Sequence, residues 1–228
     1  MEESVTDCTK HLKIETAMEQ QKIFLLCALF ALFLKAWGQG DTEQKMVIIV
    51  DPGHGGIDSG AIGINGLSEK ELTLKLAEAI LRYNRTVLDN RYDMYLTRYS
   101  DTLISLGHRT RLAKALKPAL FISLHCNHAD NPKASGLEIY LYNSPIPQSH
   151  ITMAKAMETY LQQQLAYRSR GLKRANFQVL RDNKAVCPAL LLELGFLSHT
   201  DESRHLERKE SINALGLAIL MGIKKILE

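Results

Sequence analysis

Two histidines and two glutamates in this sequence have the types and the placement that metal-assisted hydrolysis requires. His54 follows a short apolar run, His125 and Glu193 each come late in another, and Glu69 lies shortly after His54. Two imidazoles and one carboxylate are the ligands of a catalytic zinc site whose fourth position holds water, and a further glutamate can serve as general base. The residue types alone leave open which glutamate is the ligand and which is the base.

Each of the four residues also has an ordinary structural explanation. His54 lies in a glycine-rich loop, but its PGHGG string lacks the spacings of phosphate-binding loops. Glu69 could be an acidic residue favoured by the helix dipole, and His125 could be a hydrogen-bonded core histidine. Glu193 directly follows three leucines, and a buried carboxylate is costly unless it is paired or functional. The convergence of all four predicts the site, since no local motif such as HExxH is present.

Strands and helices alternate along the chain in an order that would bring these residues to one edge of a sheet. Short apolar runs bounded by turn residues predict buried strands, and apolar residues at helical spacing predict amphipathic helices. In open α/β sheets, functional residues collect at the carboxyl ends of the strands. The predicted strands cover residues 46–50, 92–97, 119–125, 136–142, 177–181 and 189–194, and the predicted helices cover residues 69–88, 105–116, 151–165 and 212–226.

This order predicts an α/β fold, a single domain with a mixed, mostly parallel central sheet of about six strands and helices on both faces. The strand at 136–142 alternates between apolar and polar residues, so we expect it at an edge. Ser68 and Glu71 have the spacing of a capping box at the start of the first helix. The basic residues between 168 and 174 are expected to form a loop before the strand at 177.

The first 38 residues differ from the rest of the chain. Ile23–Leu34 is an unbroken apolar run, shorter than the roughly 20 residues of a membrane-spanning helix but suited to a signal-peptide core. A lysine precedes the run, and small residues follow it at the positions that a signal peptidase reads. We therefore expect residues 1–38 to be a signal-peptide region, with Met18 as a candidate true start, and residues 39–228 to be a mature domain without a stable membrane span.

Composition limits the class of protein. Of the 228 residues, 46% are hydrophobic and 23% charged, with a net charge of +3, which fits a folded domain and argues against disorder. So small a charge argues against nucleic acid as a partner. Cys126 and Cys187 could pair in an oxidising compartment, but Cys126, between apolar strand residues, is more typical of a small buried hydrophobe.

Seven strings of residues, in chain order, carry a resemblance to a known family. They are Ile48 to Ala61, Ser68-Glu69-Lys70, Leu96-Thr97-Arg98 with Asp101, Ser105-Leu106 with Arg109, Phe121 to Asn127, Val179-Leu180-Arg181, and Pro188 to Ser198. Together they resemble the zinc-dependent N-acetylmuramoyl-L-alanine amidases of the amidase 3 type, over roughly residues 46–227.

The resemblance implies roles for the four residues and a substrate. It implies that His54, Glu69 and His125 hold one zinc ion per chain and that Glu193 is the catalytic glutamate. The implied reaction is hydrolysis of the amide between N-acetylmuramic acid and L-alanine in peptidoglycan, by water that zinc activates and with the glutamate as general base. The implied location is outside the cytoplasm: periplasmic, in the cell envelope or secreted.

The resemblance also bears on substrate contacts and regulation. Peptidoglycan stems carry free carboxylates, so basic and amide side chains near the site are weaker candidates for substrate contact, namely Asn127, Arg174, Asn176 and Arg181. Some cell-division amidases carry a long inserted helix that plugs the site, and residues 143–150 leave no room for one. We therefore expect an accessible site. We also expect the protein to be a monomer, and the sequence does not identify an activator protein.

Two alternative functions stay open at this point. One is a zinc peptidase that cuts within the stem peptide instead of at its junction with the sugar. The other is a wall-binding homologue without catalysis, which would be expected to have lost a ligand or Glu193, whereas all four residues are present.

Overall fold

One sheet of six strands organises the chain from residue 45 onward. The computed structural model describes residues 18–19, 21–31, 33 and 44–228, in two units that cover Met1–Gln44 and Lys45–Glu228. The strands are β1 (Val47–Pro52), β2 (Asp93–Leu96), β3 (Leu120–Asn127), β4 (Leu137–Tyr142), β5 (Ser169–Ala175) and β6 (Ala189–Phe196), in the sheet order β2-β1-β3-β6-β4-β5.

Strand direction confirms the predicted mixed, mostly parallel sheet. Strands β2, β1, β3 and β6 are all parallel, β4 is antiparallel to β6, and β5 is parallel to β4. The helices of this unit are α1 (Glu69–Thr86), α2 (Leu106–Leu116), α3 (Gln148–Leu165), α4 (Gln178–Asn183), α5 (Thr200–Glu207) and α6 (Lys209–Leu227).

Helices cover both faces of the sheet, because alternate residues of each buried strand point to opposite faces. On β3, for example, Leu120 and Ile122 belong to the larger core cluster, whereas Phe121 belongs to the smaller one. Helices α1, α3 and α6 contribute to the larger cluster, and α2 and α4 to the smaller. Cys126 and Cys187 are both unpaired and buried, one in each cluster.

The segment before β6 corrects one predicted strand. Phe177 is instead the N-cap of helix α4, and residues 178–181 form the start of that helix, with Val179, Leu180 and Asn183 buried at helical spacing. The remaining strand is Ser169–Ala175, which we expected to be a loop. It lies at the sheet edge with no fully buried residue, so its sequence SRGLKRA lacks the apolar signal of an inner strand.

Two smaller expectations were also wrong, and one helix was not predicted. The strand at 136–142 is not an edge strand, because β4 lies between β6 and β5. Ser68 is the N-cap of α1, but its hydroxyl is buried without a hydrogen-bond partner among the described residues, so no capping box forms. Instead, the amides of Glu69 and Lys70 donate to the carbonyls of Ala61 and Ser59. Helix α5 was not predicted.

In the first unit, residues 21–31 are helical, and their side chains are mostly exposed. The predicted signal-peptide core falls partly on this helix, whereas the predicted cleavage region at 36–38 and residues 1–17 lie outside the described residues. Among the helices that the structure describes, none combines the length and the hydropathy that crossing a membrane requires.

Candidate active site

Three side chains with metal-ligating atoms meet at the carboxyl ends of β1 and β3. His54 follows β1, Glu69 is the first residue of α1, and His125 lies near the end of β3. Their ligating atoms all lie within 4.8 Å of one another. His54 Nε2 is 3.1 Å from Glu69 Oε2, and His125 Nδ1 is 2.9 Å from Glu69 Oε1. The fold therefore brings together three of the four residues on which the sequence prediction rests.

Glu69 is the most constrained member of this group. It is only 3% exposed, and its two carboxylate oxygens also accept hydrogen bonds from the amides of Ala61 and Cys126, each at 2.9 Å. Burial acts to raise the pKa of Glu69, but the hydrogen bonds and charges of His125 and His54 outweigh it and hold the pKa well below the ordinary value. Glu69 is thus a fixed, buried anion between two imidazoles.

His54 is held in an unusual backbone conformation. Its φ is +61°, a left-handed value that residues other than glycine rarely adopt. Gly55 and Gly56, which follow it, also have positive φ. The guanidinium of Arg109 donates to the His54 carbonyl at 2.8 Å, and Asp101 accepts from the Gly56 amide at 2.7 Å. These contacts from outside the loop stabilise the strained turn, and the turn orients the imidazole towards Glu69.

The protonation of His54 follows from its two acidic neighbours. Burial lowers its pKa, but hydrogen bonds and charges from Glu69 and Asp58 outweigh burial and raise the pKa to about 9. Asp58 Oδ2 lies 2.9 Å from the other ring nitrogen, Nδ1. In the metal-free protein the His54 ring is therefore a positively charged imidazolium at neutral pH. A cation that binds at this ring has to displace one of its protons.

Glu193 lies beside this group with a carboxylate that is free to react. It pairs in register with His125 across strands β6 and β3. Its Oε2 atom is buried and has no hydrogen-bond partner among the described residues. Burial raises the pKa of Glu193 to about 7, with Glu69 and Glu138 adding to the rise and His125 opposing it. A proton acceptor with a pKa close to neutrality has the value that general acid–base catalysis favours.

A cleft of about 420 Å³ opens over these residues. His54, His125 and Glu193 lie in it, while its walls come from the segment before α2 and from the start of α4. The walls are mainly apolar, with an amide from Gln178, and the wall residues are Leu103, Ile104, Leu106, Phe177, Gln178 and Val179. Sequence analysis did not select these wall residues, although Leu106 and Val179 belong to strings that carry the family resemblance.

The four weaker candidates for substrate contact do not line this cleft. The Asn127 amide donates to Glu138 at 3.0 Å, and the Arg174 guanidinium donates to the Tyr142 carbonyl at 2.8 Å. Arg181 and Asn176 contact each other at 3.2 Å, on either side of the wall residue Phe177. Of the four, Asn176 and Arg181 therefore lie nearest to the cleft along the chain.

Gly53 gives a test of how tightly the site is packed. The Cβ atom of an alanine at position 53 would lie 2.7 Å from both ring nitrogens of His125, closer than carbon and nitrogen can approach. We expect Gly53→Ala to displace the imidazole and to lower metal affinity by about 10- to 100-fold, the range seen when a group that orients a ligand is lost. Calorimetric titration of the metal-free protein with Zn²⁺ measures this.

Gly107→Ala is the matched control for this prediction, because a Cβ at Gly107 meets nothing within 4 Å. We expect its zinc affinity to equal that of the wild type. Unchanged affinity in Gly53→Ala would mean that the His125 ring can move without cost to the metal site.

The donor set fits a divalent cation. Two imidazole nitrogens and one carboxylate are the protein ligands of hydrolytic zinc sites, in which a further position stays open. Glu69 is buried, and in the metal-free protein the protonated imidazole of His54 provides compensating charge. A cation among the three ligating atoms would supply that charge in place of the proton.

Comparisons with known proteins agree on one family. The pattern of the N-acetylmuramoyl-L-alanine amidase family (Amidase_3) matches residues 48–225. The chain is 36% identical over 181 residues to the sporulation-specific N-acetylmuramoyl-L-alanine amidase of Bacillus subtilis, a match that covers 78% of this chain and 67% of that protein.

Two solved structures have the same fold. The catalytic domain of CwlV, an N-acetylmuramoyl-L-alanine amidase from Bacillus (Paenibacillus) polymyxa, superposes with a TM-score of 0.71 at 31% identity, over 80% of this chain and 98% of that one. The amidase AmiC2 of Nostoc punctiforme superposes with a TM-score of 0.72 at 32% identity, over 80% of this chain and 97% of that one.

Proposed function

The chain belongs to the N-acetylmuramoyl-L-alanine amidase family, and from this premise we propose that it hydrolyses peptidoglycan with Glu193 as general base beside a zinc ion held by His54, Glu69 and His125. Members of this family cleave the amide that joins N-acetylmuramic acid to L-alanine, so the chain is an amide hydrolase of the cell wall. The assignment of roles to the four residues and the identity of the metal are the proposed part.

The two carboxylates at the site differ in their hydrogen-bond partners, and this difference carries the assignment of roles. Both oxygens of Glu69 are engaged by backbone amides and by the two imidazoles. By contrast, Glu193 Oε2 has no partner among the described residues, and it belongs to a residue that lies in the cleft. A ligand has to be fixed, and a base needs a free lone pair, which supports Glu69 as ligand and Glu193 as base.

The proposed chemistry of the chain's own residues is proton transfer within the cleft. When bound, zinc would polarise the scissile carbonyl and make a water molecule more acidic. Glu193 accepts the proton of the attacking water as the new carbon–oxygen bond forms. The same carboxyl group then donates that proton to the leaving nitrogen, so that the carbon–nitrogen bond breaks and L-alanine leaves as an amine. Glu193 ends the cycle as it began, as a carboxylate.

Zinc is the ion we propose, at one per chain. Nitrogen and oxygen donors in a set of three suit zinc, whereas calcium and magnesium prefer oxygen ligands only. For substrate, we propose that the apolar walls contact the methyl-bearing parts of the lactyl and alanyl groups. Asn176 and Arg181 remain proposed contacts for stem-peptide carboxylates, because they adjoin the wall residue Phe177.

We also propose that the enzyme works outside the cytoplasm, after residues 1–38 have directed its export. Its substrate lies in the cell envelope, and the apolar run at Ile23–Leu34 with its flanking residues is typical of a signal peptide. N-terminal sequencing of the secreted protein tests the cleavage position, and sequencing of the uncleaved precursor tests the candidate start at Met18.

Analysis of the products tests the proposed function. Purified protein is incubated with bare peptidoglycan, with and without a chelator, and the new amino termini are identified. We expect new L-alanine termini and intact muramic acid, no cleavage after chelation, and recovery with Zn²⁺ but not with Mg²⁺. D-amino acid termini would instead indicate a peptidase that cuts within the stem. Full activity after removal of all metal would contradict the proposal.

A further inference from the structure

A second glutamate faces the proposed base across the sheet. Glu138 on β4 pairs directly with Glu193 on the antiparallel strand β6. Side chains at such positions share one face of the sheet, with Cβ atoms about 4.5–5.5 Å apart, and like charges there are destabilising. A pair of carboxylates in this position therefore needs hydrogen-bond donors or positive charge from other groups.

Glu138 receives side-chain hydrogen-bond donors from three residues. The Arg170 guanidinium donates to its Oε1 at 2.7 Å, and the Asn127 amide and the Tyr140 hydroxyl donate to its Oε2 at 3.0 Å and 2.8 Å. The Glu138 side chain is only 6% exposed. Burial and the hydrogen bond to Glu138 raise the pKa of Tyr140 to about 12, so its hydroxyl stays a donor at neutral pH.

The two facing carboxylates therefore differ sharply. Glu138 has three side-chain donors, whereas Glu193 Oε2 has none among the described residues. The sheet order β6-β4-β5 explains why, because Glu138 stands between Arg170 on β5 and Glu193 on β6. The guanidinium of Arg170 pairs with Glu138 and also lies 5.1 Å from the ring of Phe196 on β6. Its stem is therefore long enough to approach Glu193 if Glu138 were lost.

We propose that Glu138 is a positioning residue that captures Arg170 and thereby keeps Glu193 free of an ion pair. This inference rests on the proposed role of Glu193 as general base. A carboxylate joined to a guanidinium is a poor proton acceptor, because a charge-assisted hydrogen bond has to break before the oxygen can take a proton. Glu138 thus acts on the reaction through Glu193 and does not itself touch the substrate.

Removal of the Glu138 charge tests the inference. We expect Glu138→Gln to lower kcat on a soluble muramyl-peptide by at least about tenfold, because a new ion pair between Arg170 and Glu193 would have to break before proton transfer, and to leave KM nearly unchanged. Adding Arg170→Gln to this variant should raise kcat again, because no guanidinium is left to pair with Glu193. Zinc content and the thermal unfolding midpoint, measured for each variant, show that it is loaded and folded.

A conservative substitution separates charge from shape. Glu138→Asp keeps the charge but fits less well, whereas Glu138→Gln keeps the shape but loses the charge. We expect Glu138→Asp to retain more activity than Glu138→Gln, and the reverse order would overturn the proposal. A doubly substituted enzyme no more active than Glu138→Gln alone would also overturn it. If Glu138→Gln does not fold, the double variant decides: kcat above about a tenth of the wild-type value supports the proposal, and a lower value overturns it.

Glu193→Gln, measured in parallel, separates this inference from the proposed function. If Glu193→Gln stays active, the proposed base is wrong, and the inference falls with it. If Glu193→Gln is inactive while Glu138→Gln keeps the wild-type kcat, only the inference about Glu138 fails.

Discussion

Glu193→Gln is expected to lower kcat by about 10²- to 10⁴-fold, the contribution that a positioned general acid–base group makes. Glutamine has nearly the same shape as glutamate, so the packing of β6 should survive, but its amide cannot accept the proton of the attacking water or return it to the leaving amine. We expect the variant to bind one zinc ion as the wild type does. Release of L-alanine termini and metal analysis of the same sample measure both effects.

The control for this variant is Glu78→Gln, an exposed glutamate on α1, which should behave as the wild type. Loss of zinc together with activity would contradict the assignment of Glu193 as base, because it would make Glu193 a ligand. Retained activity would mean that another group in the cleft takes the proton.

The positions of the candidate residues in the fold could be predicted from the sequence, because they follow strands with strong local signals. The runs that became β1, β3 and β6 are nearly all apolar and buried, so their carboxyl ends, and hence His54, His125 and Glu193, could be placed from periodicity alone. Glu69 could be placed because the helical spacing of α1 begins beside it. Parallel pairing of three adjacent strands then brings these ends together.

The far half of the sheet was harder to predict, for a physical reason. Strand β5 is an edge strand with half-buried and exposed residues only, so its hydrogen bonds, and not apolar burial, determine it. Helix α4 is six residues long, and its Val179-Leu180 pair is compatible with either a strand or a helix in so short a segment. Because we predicted a strand where helix α4 lies, we did not predict the cleft wall at Phe177 and Gln178.

The contacts that support the site could not be predicted from the sequence either. Arg109 lies 55 residues from the His54 carbonyl to which it donates, and Glu138 and Arg170 meet across strands 32 residues apart. Such pairs leave no periodic pattern, since their partners are defined by strand order and register alone. Asn127 is a further example, because its hydrogen bond to Glu138 was not predicted, while its contact with substrate stays a prediction.

Glu69→Gln should have the largest effect on metal binding. Glu69 Oε1 and Oε2 each accept one backbone amide, from Cys126 and Ala61. A glutamine would have to turn its NH₂ group towards one of these donors, and it would leave two imidazoles without a negative charge between them. We expect zinc affinity to fall by more than about 100-fold, since loss of groups that only orient a ligand already costs 10- to 100-fold. Zinc titration and peptidoglycan hydrolysis measure the loss.

The matched control is Glu71→Gln, two residues further along α1 and exposed, which should keep the affinity and activity of the wild type. A Glu69→Gln variant that still bound zinc stoichiometrically would show that Glu69 orients the imidazoles and does not bind the metal. Combined with loss of zinc in Glu193→Gln, that result would exchange the roles of the two carboxylates. The hydrogen bonds argue against the exchange, because Glu69 has no free oxygen with which to accept a proton, whereas Glu193 has one.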